Sequence, residues 1–152
     1  MSISGTSAFY SNTPEETVAF GQQLGASFVP GDLVLLVGEL GAGKTQLVKG
    51  IASALGVSEP ITSPTFNLML EHVGHPDQGN DDILLRHFDL YRLEHPEELE
   101  DIDYFGLLEA GDAVSVVEWA DRFPDCLPER FIEVRIEWID ERTREISVWR
   151  RS

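Results

Sequence analysis

The sequence predicts a small α/β domain: a mixed, mostly parallel sheet flanked by helices, with antiparallel hairpins added to it. Three observations carry that expectation. Residues 33–37 are apolar throughout and 113–117 are apolar but for Ser115, neither alternating, as strands covered on both faces are. Helix-patterned segments stand on either side of the first run. Between that run and the second helical segment lies Gly38-Glu39-Leu40-Gly41-Ala42-Gly43-Lys44-Thr45, which fits the phosphate-loop pattern G-x-x-x-x-G-K-[ST] in its required strand-then-helix setting. The class is therefore a small P-loop NTPase domain, and the 152 residues are enough for one core and too few for two.

Taken in order, Thr13 is placed to cap a first helix, with Pro14 at its first position and Glu16 closing a capping box. Phe20, Leu24 and Phe28 give it one apolar face, and Pro30-Gly31-Asp32 ends it. After the phosphate loop, Leu47, Val48, Ile51 and Leu55 make the face of a second helix that stops at Gly56. Prolines 60 and 64 force an extended segment. Residues 66–73 and 83–90 read as a hairpin around a polar loop at 74–82. Residues 95–111 are acidic and predict short helices, 113–117 predict a buried strand, and 131–139 with 144–149 alternate around Asp140-Glu141-Arg142-Thr143 as a second hairpin. The expected count is two long helices and about six strands.

The loop residues define a chemistry. Glycines allow successive backbone N–H groups to converge on phosphate oxygens without a Cβ in the way, and the following helix adds its positive end. Lys44 supplies a mobile charge for the β and γ phosphates, and the Thr45 hydroxyl is placed to ligate magnesium. Hydrolysis also needs a carboxylate near the metal. Glu118, at the end of the apolar run 113–117, is the favoured candidate for metal or water contact; Asp89, after the less apolar 84–88, is the second. Thr62-Ser63-Pro64-Thr65 lies where nucleotide switches hang a threonine over the γ-phosphate. Trp119 either lines the nucleotide site or fills the core.

A formal charge of −16, with only Lys44 and Lys49 as lysines against nine arginines, repels phosphate backbones. Strong direct nucleic-acid binding is not expected, since the only basic stretch is 142–151. Two readings of so much acid stand side by side, a saline cytoplasm and a partner with a basic face. Six acids within 94–103 read as a solvated helical face or a docking face. The four histidines show no zinc-specifying pattern. Cys126 stands alone, and neither a signal nor an 18-residue apolar span is visible, so a cytoplasmic protein with no membrane association is expected.

Further motifs extend the pattern: Ser-Pro-Thr-Phe at 63–66, His-Phe-Asp-Leu-Tyr-Arg-Leu at 87–93, Pro-Glu-Glu-Leu at 96–99 and Val-Glu-Trp at 117–119. With the phosphate loop, in this order and spacing, the chain resembles the TsaE (YjeE) family, bacterial ATPases of tRNA threonylcarbamoyladenosine synthesis. The likeness runs from about Thr13 to Trp119. It implies dependence on ATP and Mg²⁺ and work with TsaB and TsaD, the latter transferring the threonylcarbamoyl group to tRNA while the ATPase resets the complex. By position it puts the triphosphate on Glu39, Leu40, Gly41, Ala42, Gly43, Lys44 and Thr45, and the metal on Thr45 and Glu118. Asp89 becomes a second acid near the metal, Thr65 a switch-like contact and Trp119 a neighbour of the nucleotide, with adenine contacts from the N-terminal tract and last hairpin. The polar loop at 74–82 and the acidity depart from the family pattern.

Two other classes compete. A small-molecule or nucleoside kinase would share the phosphate loop, but 152 residues leave little room for an arginine-rich lid and an acceptor pocket. A GTPase switch would carry Asn-Lys-x-Asp, which does not occur, and Asp89-Leu90-Tyr91-Arg92 lacks the glycine of Asp-x-x-Gly.

Overall fold

The computed structural model describes residues 3–5, 8–39, 41–62, 64, 68–76 and 81–151. Its strands are β1 (Ile3–Gly5), β2 (Phe9–Ser11), β3 (Leu33–Val37), β4 (Met69–Gly74), β5 (Ile83–Asp89), β6 (Ala113–Glu118), β7 (Phe131–Trp138) and β8 (Arg144–Arg151). The helices are α1 (Pro14–Ala26), α2 (Lys44–Ala54), α3 (Glu98–Asp101) and α4 (Tyr104–Glu109). All eight strands join one sheet in the order β1-β8-β7-β3-β6-β5-β4, with β2 also on β8. The centre, β7-β3-β6-β5, is parallel; β4 and β8 are antiparallel additions.

This is the expected mixed architecture with two strands more than expected. β1 and β2 lie along β8, pairing with residues 149–151 and 144–146. At three residues each they are too short to show a period. β3 lies where its apolar run ends and begins, and β6 continues one residue further, to Glu118. β4 begins later than expected, after Leu68, whose φ of 63° breaks the extended backbone. Ser63, Thr65 and Phe66 of the extended segment lie outside the described residues.

Both faces of the sheet are covered, which explains why β3 and β6 show no polar–apolar alternation. Val34 and Leu36 pack with Leu47, Val48 and Ile51 of α2, whereas Leu35 points the other way and packs with Phe88, Leu99 and Tyr104. Successive residues of one strand thus serve two cores. Among the described residues no helix is long and apolar enough to cross a membrane.

α1 starts as its sequence directs: the Thr13 hydroxyl accepts from the Glu16 N–H at 3.1 Å, with Pro14 at the first turn. The reciprocal bond differs from a standard capping box, because the Glu16 carboxylate accepts from the Asn12 N–H at 3.4 Å instead of that of Thr13. The face of α1 pressed on α2 is also not the aromatic one. Its buried positions are Thr17, Gly21 and Gly25, Phe20 and Leu24 flank them, and Phe28 packs from beyond the helix end. A Cβ on Gly50 of α2 would lie 2.1 Å from the Val18 carbonyl oxygen, and one on Gly21 2.5 Å from that of Leu47. The helices touch backbone to backbone, so this contact selects small residues over apolar bulk.

The acidic stretch becomes two short helices anchored by buried Leu99 and Tyr104, with most of its carboxylates exposed. Glu98 accepts from the Glu94 and His95 N–H groups, which holds its carboxyl below the usual range.

Candidate nucleotide site

β3, β5 and β6 run parallel and end together, so whatever follows them lines one edge of the sheet. After β3 the chain turns through Gly41 and Gly43, with φ of 78° and 111°, and enters α2 at Lys44. Those angles favour glycine. The loop is tightened by the Ala42 N–H donating to the Glu39 carbonyl at 3.1 Å. No side chain caps α2, so the positive end of the helix faces the hollow in front of it.

Asp89 and Glu118 are register partners at the ends of β5 and β6, and both are buried. Sequence reasoning ranked Glu118 above Asp89; the sheet sets them side by side. The Glu118 Oε1 lies 4.0 Å from the Lys44 Nζ, and its Oε2 accepts from the His87 Nε2 at 2.5 Å. Asp89 accepts from the Tyr91 N–H at 3.0 Å. The Lys44 ammonium donates to the Gly38 carbonyl at 2.7 Å and sits 3.8 Å over the Trp119 ring. Burial lowers the Lys44 pKa, and the carboxylates of Glu118, Asp89 and Asp121 push it back up in part.

Trp119 takes a left-handed φ of 65°, uncommon for a large side chain, where β6 breaks into a short 3₁₀ turn. The two readings of Trp119 meet here: its ring is half-buried, lines the hollow beside Lys44, and packs on Tyr91 at 5.0 Å.

The hollow is a cavity of about 630 Å³ that brings together Gly41, Ala42, Gly43, Lys44 and Thr45 with Asp89, Glu118 and Trp119. Its far walls come from the N-terminal tract, at Asn12, Thr13 and Thr17, and from the last hairpin, at Arg142 and Arg144. Glu39 is exposed and lines a smaller neighbouring hollow of about 400 Å³. Leu40 and Thr65 lie outside the described residues.

Two groups at the site have no local sequence signal. Arg144 donates to the Ala42 carbonyl at 3.1 Å from 102 positions away, and stacks 5.0 Å over the Trp138 ring. His87 belongs to a quoted motif, yet its bond to Glu118 depends on which strands are neighbours.

The donor chemistry suits a magnesium-bound polyphosphate. Two carboxylates and a hydroxyl are hard oxygen donors of the kind Mg²⁺ takes in small number, and the glycine turn, helix end, Lys44 and Arg144 are all anion-binding groups. At 630 Å³ the cavity lies within the usual range for small-molecule sites.

Residues 11–146 match the family model described as threonylcarbamoyl adenosine biosynthesis protein TsaE. The chain belongs to the TsaE family. It is 41% identical over 141 residues to the tRNA threonylcarbamoyladenosine biosynthesis protein TsaE of Mycobacterium bovis, covering 89% of this chain and 81% of the relative. The TsaE protein of Nostoc sp. is 36% identical over 151 residues, covering 97% and 88%. The crystal structure of Bacillus subtilis YdiB superposes with a TM-score of 0.76 at 30% identity, over 100% of this chain and 89% of that one. The TsaE reading made from the loop and the later motifs therefore stands, as does the α/β architecture, and the family places the chain in threonylcarbamoyladenosine biosynthesis.

Proposed function

We propose that the chain, as one P-loop domain in the cytoplasm, binds ATP with Mg²⁺ in this cavity and hydrolyses it to support threonylcarbamoyl transfer to tRNA with TsaB and TsaD. The observation that carries this is the meeting of Lys44, Thr45, Asp89 and Glu118 around a glycine-built loop at one sheet edge. Bound magnesium would neutralise phosphate charge and polarise the scissile bond. Thr45, Asp89 and Glu118 are the residues to hold it, Glu118 or Asp89 also being available to orient water. Lys44 exchanges the Gly38 carbonyl for phosphate oxygens, and Arg144, braced on the loop, adds a second cation. ATP in place of GTP follows from the family resemblance and the missing guanine motif.

Slow hydrolysis by the chain alone is what this reading expects, with the partners accelerating it. The net charge of −16 supports tRNA contact through the partners instead of through this chain. Phosphate release with and without TsaB and TsaD tests the reading. The expected outcome is faster turnover with both partners and a requirement for Mg²⁺; equal rates with and without them overturn the coupling role.

A further inference from the structure

His87 is wholly buried on β5, with Glu118 the residue that its Nε2 reaches. Its Nδ1 is buried with no hydrogen-bond partner among the described residues. An ionised carboxylate only accepts, so Nε2 is the donor in this contact and Nδ1 is the ring nitrogen left without a partner among the described residues. Leaving a buried polar atom unpaired costs on the order of 1–3 kcal/mol, a cost an apolar side chain of similar size would not incur. Packing therefore does not explain an imidazole here, and the bond to Glu118 does.

That bond decides which oxygen of Glu118 is available. Oε2 is held from behind by His87, while Oε1 points toward the Lys44 ammonium and stays 4.0 Å away, beyond direct hydrogen bonding. Opposite charges this close and this buried attract strongly. A carboxylate released from its tether would close on Lys44, occupying both the oxygen meant for metal or water and the ammonium meant for phosphate. We infer that His87 is a positioning residue, a tether that holds Glu118 off Lys44 and fixes Oε1 as the oxygen presented to the cavity. The inference rests on the reading of Glu118 given above and concerns how that carboxylate is aimed.

Three substitutions in the full chain separate tethering from packing. His87→Leu fills the space without a donor, His87→Asn is polar but too short to reach Oε2, and His87→Gln carries an amide N–H to roughly the place of Nε2. The readout is the affinity of Mn²⁺, standing in for Mg²⁺, in the presence of ADP, followed by electron paramagnetic resonance; phosphate release is measured alongside. Loss of an outer partner typically lowers metal affinity about 10–100-fold, and that loss is expected for His87→Leu and His87→Asn, with His87→Gln returning most of it. Wild-type affinity in all three, or equal loss in all three, overturns the inference. Should His87→Leu fail to fold, the contrast between His87→Gln and His87→Asn decides the matter alone, and no contrast counts against the tether. Glu118→Gln serves as the reference. If it impairs Mn²⁺ binding and hydrolysis while the His87 substitutions do not, only the tether falls. If Glu118→Gln leaves both untouched, the site reading falls and the tether with it.

Discussion

Among the described residues two histidine rings pair with glutamates, and the pairs differ in where the carboxylate lies. In His87–Glu118 the side chains are 1% and 5% exposed; in His72–Glu59, on the outer strand β4, they are 7% and 55% exposed. Each histidine leaves one ring nitrogen without a partner among the described residues. Glu59 keeps most of its hydration, so its pair costs little to form and contributes little. Among the described residues, Glu118 has given up water for one hydrogen bond and an ammonium 4.0 Å away. Burying a charge so sparsely paired is unfavourable for stability, and it occurs where a bare, aimed carboxylate is chemically useful. The outer edge spends its charges on holding strands together, and the cavity edge holds its charges ready.

Lys44→Ala tests the cavity side most severely. Charge-assisted bonds are worth about 1.5–3 kcal/mol, so ATP affinity measured by titration calorimetry is expected to fall roughly 10–100-fold. Unchanged affinity breaks the proposed loop. On the outer side, Arg86 of β5 binds Asp112 through two bonds, at 2.7 and 3.0 Å, and Glu71 at 2.8 Å. The hydrogen bonds from Arg86 hold the Asp112 carboxyl below the usual carboxylate range. A carboxyl depressed in the folded state adds stability above its unfolded pKa and loses it as pH falls through the folded one. Asp112→Asn should therefore lower the thermal midpoint at pH 7 and lower it less near pH 3, while ATP binding is unchanged. A uniform drop across pH would show that the pair does not act through its charge. Smallest of all, Glu59→Gln should cost less than about 1 kcal/mol in urea denaturation and leave hydrolysis alone. A larger loss, or any loss of activity, would erase the distinction between the two edges.

What the sequence made legible follows from how local each signal is. The run 33–37 and the largely apolar run 113–117 locate β3 and β6, and Thr13-Pro14 with Glu16 marks the start of α1, because each signal is contained in a few neighbouring residues. The loop and Glu118 were readable for the same reason: a strand must deliver its terminal residue to the sheet edge. Asp89 was underrated because Arg86 and His87 make its strand look half-solvated, whereas both are buried, one by its ion pairs and the other by Glu118. The stripe Thr17-Gly21-Gly25 was passed over for the aromatic face of α1, since glycine carries no hydrophobic signal although it permits the closest helix contact. The hairpin that carries Arg144 was in view, but the contact of Arg144 with Ala42 was not, as it depends on β7 lying beside β3.

That neighbourhood has an outcome for the loop itself. Strand β7 stands directly against it: a Cβ at Gly38 would lie 2.7 Å from the Ile136 carbonyl oxygen, one at Gly43 3.2 Å from the Ile136 Cδ1, and the Trp138 ring borders Gly41. Arg144 of β8 completes the brace at Ala42. The eight-residue signature is thus moulded against a template encoded almost a hundred positions downstream. Transplanted without that hairpin, the motif would keep its letters and lose its shape.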